Sequence, residues 1–412
     1  MKIAIVGGGA SGLIAAIILS KNGLYIDLYE RNENLGKKIK ASGNGHCNIF
    51  NTNVDESHYF GNNCSNFIKT VFKKFDFKTF KKICNDIGLF LQIKENGRVY
   101  PLSNESASVV ELFLASLRNE YVNIINGTLV NKIKNKDKKF YLFDNNNVFL
   151  DVYDTVILST GSMAAYQING ECNGLNIASF LGHTINDPYP SLVPVECSNV
   201  YECKRMEGVK VYACIDVYIN NKKKDEICGD LLFTKYGLSG FAILDISQTV
   251  SFALLNNERV FLSVNLLPNM EKGLFKNSLL KTAKRNGKLT IYEALLGYLP
   301  KKISKTLLSK LNITYQTPLS AVSLKTINNI AHMIFNWRFD ISDTHGFKYS
   351  EASGGGVDTS EINATTMESR LIDNLYLTGE LLDVVGKRGG YNLAFAFATG
   401  YISATNILRK SI

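Results

Sequence analysis

Gly7, Gly9 and Gly12 stand in the spacing Gly-x-Gly-x-x-Gly directly after the apolar run Lys2-Ile3-Ala4-Ile5-Val6, and Glu30 closes a second apolar run, Tyr25 to Tyr29. Each residue type here has a physical job. Gly7 lets the chain turn sharply out of a strand, Gly9 lets a pyrophosphate reach the backbone, and Gly12 lets a helix pack closely on a sheet. Ala10 and Ser11 complete the loop, and the helix that follows aims unpaired N–H groups and its positive dipole end at the phosphates. The Glu30 carboxylate, with Arg31 after it, is placed to accept hydrogen bonds from ribose hydroxyls. Strand, glycine loop, helix, strand and acid in that order predict a dinucleotide site. The bland alternative is a structural glycine turn in some other α/β protein.

Two further segments carry residues of the same kind. Lys37 and Lys38 precede Ser42-Gly43-Asn44-Gly45-His46-Cys47-Asn48, a polar, glycine-rich loop that suggests backbone lying against a ligand. Lys37 or Lys38 is suited to neutralising pyrophosphate, and Asn44, His46, Cys47 and Asn48 are expected to line the bound group. Cys47 has no evident partner cysteine and reads as a packed thiol more than a redox centre. His46 is a candidate proton donor. The buried run Thr155 to Leu158 leads to Thr160-Gly161, as a further parallel strand feeding the site would. Near the C-terminus, Leu375 to Leu377 leads to Gly379-Glu380, and Gly389-Gly390-Tyr391-Asn392-Leu393 opens a last helix. This second approach to the cofactor is what FAD requires, because its flavin end extends away from the first βαβ unit. The N–H groups at the start of the last helix are suited to stabilising negative charge on the flavin's pyrimidine edge.

The elements that must position these residues follow from length and pattern. A chain of 412 residues fits two or three domains. No run approaches the ~20 apolar residues of a membrane span. The N-terminus is not a secretion signal, because a βαβ unit accounts for it. Eight cysteines without a Cys-x-x-Cys pair read as reduced and mostly buried, and zinc is not expected. The net charge of +9 comes with lysine runs at 132–139 and 222–224 that read as solvated hairpin turns without interleaved aromatics, so nucleic acid is not the expected partner. Amphipathic helices are expected over 65–90 and 106–117, and antiparallel strands over 121–158. The texture changes between Pro188 and Pro194. Beyond it, 191–345 reads as an insert, β-rich over 191–267 and helical over 268–335, with strands returning at Trp337–Ile341 and Phe347–Ala352. Residues 1–190 and 346–412 then make one discontinuous α/β domain. His183 and His332 read as packing histidines.

These runs resemble the BaiN/RdsA-like flavoproteins, a family of FAD-dependent oxidoreductases also labelled aminoacetone-oxidase-like, and the resemblance covers nearly the whole chain. Beyond the segments above it includes Gly97-Arg98-Val99-Tyr100-Pro101, Pro190-Ser191-Leu192-Val193-Pro194 and Leu232-Phe233-Thr234-Lys235-Tyr236-Gly237-Leu238-Ser239-Gly240. It implies a Rossmann-type FAD domain built from both chain ends, interrupted by a β-barrel-like and helical insert. It also implies non-covalent FAD, with Glu380 on a ribityl hydroxyl and Lys235 and Tyr236 in a motif that caps the flavin. His46, Lys235 and Tyr391 are the candidates for contact with substrate. The chain departs from the family where His46 replaces Arg, Lys235 replaces His and Phe241 replaces Pro. It departs again in the loop Ser162 to Gly174, which lacks the family's glycine-rich turn. The expected activity is flavin-mediated hydride transfer on a small organic substrate, at a C–C bond beside a carbonyl. NADH or NADPH would act as a visiting donor, since one glycine fingerprint is present, and the setting would be the cytoplasm. Amine oxidation, tRNA modification and non-catalytic flavin binding are the competing readings. The chain end just after the last helix argues against the tRNA enzymes, which carry a helical extension there.

Overall fold

The computed structural model describes residues 1–165, 170 and 172–411. Two units make up the chain, Met1–Tyr189 with Glu351–Ile412, and Pro190–Ser350. In the first unit, β1 (Ile3–Val6) is buried at every position, the mark of a parallel strand covered on both faces. It lies at the centre of a five-stranded parallel sheet. Thr155–Leu158 and β2 (Ile26–Tyr29) flank it, and Leu375–Leu377 and Val122–Ile125 form the edges. Ile5 is level with Leu28 on one side and Ile157 on the other. The glycine loop thus leaves the sheet where three strand ends converge, which is where open α/β sheets bind ligands.

Helix α1 (Ala10–Lys21) carries apolar residues all round and needs cover on two sides. The sheet supplies one, and the final helix Tyr391–Ser411 supplies the other. The helices approach so closely that a Cβ on Gly400 would stand 2.2 Å from the Ser11 carbonyl oxygen. Val122–Ile125 was expected among antiparallel strands but pairs parallel to β2. The helix Ser106–Ser116 before it makes the crossover that a parallel strand needs. Of the stretch 121–158, only 130–153 form an antiparallel three-stranded sheet.

The second unit is a closed six-stranded barrel. Its strands run in the order Val195–Cys197, Gly237–Ser239, Lys222–Phe233, Lys210–Ile219, Val260–Asn265 and Trp337–Thr344. Helices Phe241–Leu255, Lys272–Arg285, Lys301–Lys310 and Leu324–Phe335 complete it. Several expectations are corrected here. The stretch read as β-rich contains the helix Phe241–Leu255. Lys222–Lys224 open a strand, because Asn220 and Asn221 take the left-handed backbone (φ 49° and 64°) that makes the tight turn. Phe347–Tyr349 is a 3-10 turn, and the strand is Ala352–Val357. His332 is exposed. The cysteines are not all reduced, since Cys214 and Cys228 form a disulfide. They are direct cross-strand partners, which brings their Cβ atoms within bridging reach. Tyr166 and Glu171 of the divergent loop lie outside the described residues. Among the described residues no helix is long and apolar enough to cross a membrane.

Candidate functional site

The glycine loop has the geometry its spacing predicts. Gly7 has φ +111°, and a Cβ there would stand 2.4 Å from the Ser159 carbonyl oxygen. A Cβ on Gly12 would stand 2.0 Å from the Gly7 carbonyl oxygen, so α1 touches the strand end through backbone alone. Gly9 is different, with nothing within 4 Å of its Cβ position. No side chain caps the helix, so its first N–H groups open onto this free space. Ala10 opens the helix and Ser11 is buried behind it. Beside the loop runs a cleft lined by Gly7, Glu30, Arg31, Val130, Thr160 and Gly174.

Glu30 is buried and already engaged. Oε2 accepts from the Gly8 N–H (2.9 Å), while Oε1 accepts from the Asn32 N–H (3.0 Å) and Asn32 Nδ2 (2.7 Å). A carboxylate offers about four acceptor positions, and these three bonds leave one for a ribose hydroxyl. The two lysines part company. Lys37 Nζ donates to Asn32 Oδ1 (2.9 Å), joining the Glu30 network. Lys38 Nζ crosses to Glu380 Oε2 (2.9 Å) and Ser162 Oγ (3.3 Å). Glu380 Oε1 also accepts from the Ser353 N–H (3.1 Å). Lys38 therefore neutralises Glu380, and Glu380 ties the two chain ends together beside the loop.

In the segment Ser42–Asn48, the residues Gly43, Asn44, Gly45 and Cys47 all have positive φ, which turns the chain tightly back on itself. Cys47 is buried, and burial pushes its thiol up to about 11 against a smaller opposing hydrogen bond from Ser42. A thiol raised by burial stays protonated at neutral pH, which fits a packed cysteine more than a redox centre. His46 is exposed, with Nδ1 3.0 Å from the Asn104 carbonyl oxygen. Asn48 Oδ1 and Thr160 Oγ1 are buried without a hydrogen-bond partner. An orphaned buried acceptor costs about 1–3 kcal/mol; Thr160 lines the cleft beside Glu30, and Asn48 Oδ1 stands against Gly390. Gly161 (φ +76°) and Gly379 (φ +67°) make left-handed turns beyond the strands Thr155–Leu158 and Leu375–Leu377, and the Gly379 N–H donates to Thr399 Oγ1 (2.9 Å). A Cβ on Gly390 would stand 2.3 Å from the Phe50 carbonyl oxygen and 2.8 Å from Asn48 Oδ1. The open space at Gly9, the uncapped helix and the two orphaned acceptors fit an anionic dinucleotide with a polar ring system.

Two C-terminal residues face inward. Asn392 holds Gly386 through both its amide atoms (2.7 and 2.9 Å), and Leu393 packs on the core. Tyr391 is buried, and burial raises its phenol, with Asp55 adding to the shift and Arg98 opposing it. Its ring stacks on His58, with centroids 4.5 Å apart. Sequence reasoning missed His58, Asp55 and Arg98. The signal was the spacing Asp55-x-x-His58 and the arginine inside a recognised motif. Lys235 belongs to the second unit, exposed on a turn where Tyr236 stacks on His345 at 3.7 Å.

Residues 1–406 match the family described as HI0933-like protein Rossmann domain. The chain is 33% identical to the 3-dehydro-bile acid delta(4,6)-reductase of Clostridium scindens, over 98% of both chains. It is 28% identical to the ribosomal RNA dihydrouridine synthase of Haemophilus influenzae, again over 98% of both. Among solved structures it shares its fold with the 3-ketosteroid delta1-dehydrogenase of Sterolibacterium denitrificans, at TM-score 0.53, 10% identity and 99% coverage of both chains.

Proposed function

The chain belongs to the HI0933-like family and is an FAD-dependent oxidoreductase, and from that premise we propose that it reduces a carbon–carbon double bond conjugated to a carbonyl group. The carrying observation is the end-to-end match, at 33% identity, to a delta(4,6)-reductase of 3-dehydro-bile acids. Such a substrate has alkenes conjugated to a ketone.

Gly9, Ala10, Ser11 and the start of α1 would hold the pyrophosphate. Glu30 and Arg31 would take the adenosine, and the paired Lys38 and Glu380 the middle of the cofactor. Segments Ser42–Asn48 and Gly390–Leu393 would frame the ring. Bound there, FAD supplies the ring that passes a hydride to carbon. Tyr391, kept protonated by burial, presents a neutral phenol. Lys235 and His46 are the other candidates for substrate contact. NADH or NADPH, available in the cytoplasm, acts as the visiting donor.

A second reading is reduction of uridine in RNA. It is favoured by relatives named ribosomal RNA dihydrouridine synthase at 28% and 27% identity, each aligned over 98% of this chain. The C5–C6 double bond of uracil is itself conjugated to a carbonyl, so one catalytic apparatus serves both.

The test is an anaerobic visible spectrum of the purified protein titrated with NADH and then NADPH. A 3-oxo-4,6-dienoic bile acid or a ribosomal RNA transcript is then added to the reduced protein. Bleaching by the donor and recovery with the bile acid supports the main reading. Recovery with the transcript alone supports the second. Protein that takes up no FAD sinks both.

A further inference from the structure

One titratable group beside the Gly389–Gly390 turn has no part in the account above. His58 Nδ1 lies 3.0 Å from Asp55 Oδ1. Asp55 is held below the usual carboxylate range, chiefly by the hydrogen bond from the Ser57 hydroxyl, so it stays ionised and keeps the proton on Nδ1. Nε2 is left with no partner among the described residues, on a side chain 24% exposed. Two contacts fix the ring's position. It lies nearly parallel to the Tyr391 ring, at 10°. Its carbonyl accepts from the Lys387 N–H (2.9 Å), where Tyr59–Phe60 pairs with Val385–Gly386.

On the same turn, Arg98 Nε lies 3.6 Å from the Cβ position of Gly389, and Tyr391 Cε2 lies 3.5 Å from it. Asn51 Nδ2 pins the Gly389 carbonyl at 2.8 Å. Arg98 and Tyr391 thus both border the glycine turn, and the His58 imidazole joins them through its stack on Tyr391.

We propose that His58 is a catalytic proton-transfer residue, with Asp55 as its positioning residue and Arg98 as the cation that meets the substrate's carbonyl oxygen. The inference rests on the reading of the substrate as a carbonyl-conjugated alkene. In the reducing direction a hydride adds to the β carbon, and the alkene π pair moves to form an enolate whose oxygen faces Arg98. His58 enters this step as the imidazolium, with both ring nitrogens protonated, and the enolate α carbon takes its Nε2 proton. The imidazole, left neutral with Nδ1–H still on Asp55, regains a proton from water. The two electrons come from the nicotinamide dinucleotide oxidised in the same cycle. The competing explanation is a capping turn, since Asp55 also accepts from the Ser57 N–H (2.8 Å). A cap requires no histidine at position 58.

The test compares the FAD-loaded parent with His58→Ala, His58→Gln and Arg98→Met, using a 3-oxo-4,6-dienoic bile acid and NADH or NADPH. A second readout is deuterium uptake from D2O at the α carbon of the saturated ketone without an electron donor, which needs a base and no hydride transfer. The expected result is a fall in kcat of about 10²–10⁴-fold for both His58 variants, with KM little changed and deuterium uptake lost in parallel. Added imidazole restores His58→Ala and leaves His58→Gln impaired. Arg98→Met raises KM. A His58→Ala protein with the parent's kcat overturns the proposal while leaving the substrate reading intact. So does a loss in both variants that imidazole does not restore. A parent that binds FAD and reduces no conjugated ketone overturns the substrate reading, and this inference with it.

Discussion

Gly9→Ala and Gly12→Ala should separate folding from cofactor binding, because the added methyl meets open space in one case and backbone in the other. At Gly12 the Cβ would lie 2.0 Å from the Gly7 carbonyl oxygen and 2.8 Å from Ser159 Oγ, where ordinary contact begins at 3.4 Å. A backbone carbonyl at a strand end cannot rotate away, so α1 must lift off the sheet. Overpacking of this kind costs about 1–3 kcal/mol. In a unit of this size that lowers Tm by about 2–12 °C, at about 2–4 °C per kcal/mol. At Gly9 the backbone is extended (φ −84°, ψ −167°) and open to any L-residue. Alanine there should leave the flavin-free protein as stable as the parent, or more stable by about 0.4–1 kcal/mol. The same methyl occupies the ground on which a pyrophosphate would rest. FAD affinity should therefore fall about 100-fold, or about 2.7 kcal/mol. The assay is thermal unfolding of flavin-stripped protein, paired with titration of FAD by fluorescence quenching. A Gly9→Ala protein that binds FAD like the parent refutes the placement of the pyrophosphate. A Gly12→Ala protein that melts with the parent refutes the packing argument.

Four further outcomes are expected. Burial raises the Glu361 carboxyl, but the bonds from Thr184 and His183 outweigh it and hold the group below its ordinary value. Its stabilising contribution is therefore complete above the unfolded carboxylate pKa and is lost as pH falls through the folded one. Glu361→Gln should flatten the acid limb of the stability–pH curve measured by urea unfolding. Six of the eight cysteines should titrate with a thiol reagent in denaturant, and non-reducing peptide mapping should find Cys214 linked to Cys228. In the native protein Cys172 should be alkylated first, because it is exposed while Cys47, Cys64, Cys84, Cys197 and Cys203 are buried. Asn48→Leu should leave Tm within a few degrees and weaken FAD binding about tenfold, since an unmet acceptor is worth about 1–3 kcal/mol to a donor that reaches it. Equilibrium dialysis measures this, and unchanged affinity would place the flavin elsewhere.

The N-terminal βαβ unit was legible because its signals are local. Apolar runs, glycines and an acid follow one another within thirty residues and each has a steric reason. The C-terminal glycine turns were legible for the same reason. The helix Phe241–Leu255 was not, since an element apolar on every side shows no 3.6-residue stripe to set it apart from buried strands. Barrel closure depends on pairing Val195–Cys197 with Trp337–Thr344, a contact that no local pattern encodes. Cys214 and Cys228 were read as thiols because neither shares a short motif, and the register that makes them neighbours emerges when the hairpin forms. The division of labour between Lys37 and Lys38 was equally hidden, because adjacent residues on a helix differ in direction by about 100°. His58 drew no notice because a lone histidine in a polar stretch looks like surface, and Tyr391, which stacks on it, comes from the other end of the chain.

The insertion of one unit into another has a consequence for how the protein is made. Residues 190–350 are contiguous and complete well before the last strand of the parallel sheet, Leu375–Leu377, leaves the ribosome. The barrel can fold as it emerges, while the sheet must wait with Thr155–Leu158 bare along one edge. Thr-Val-Ile-Leu is a sticky edge to leave open. Recombinant yield should therefore respond to slower translation or added chaperone through this interval, independently of how stable the finished protein is.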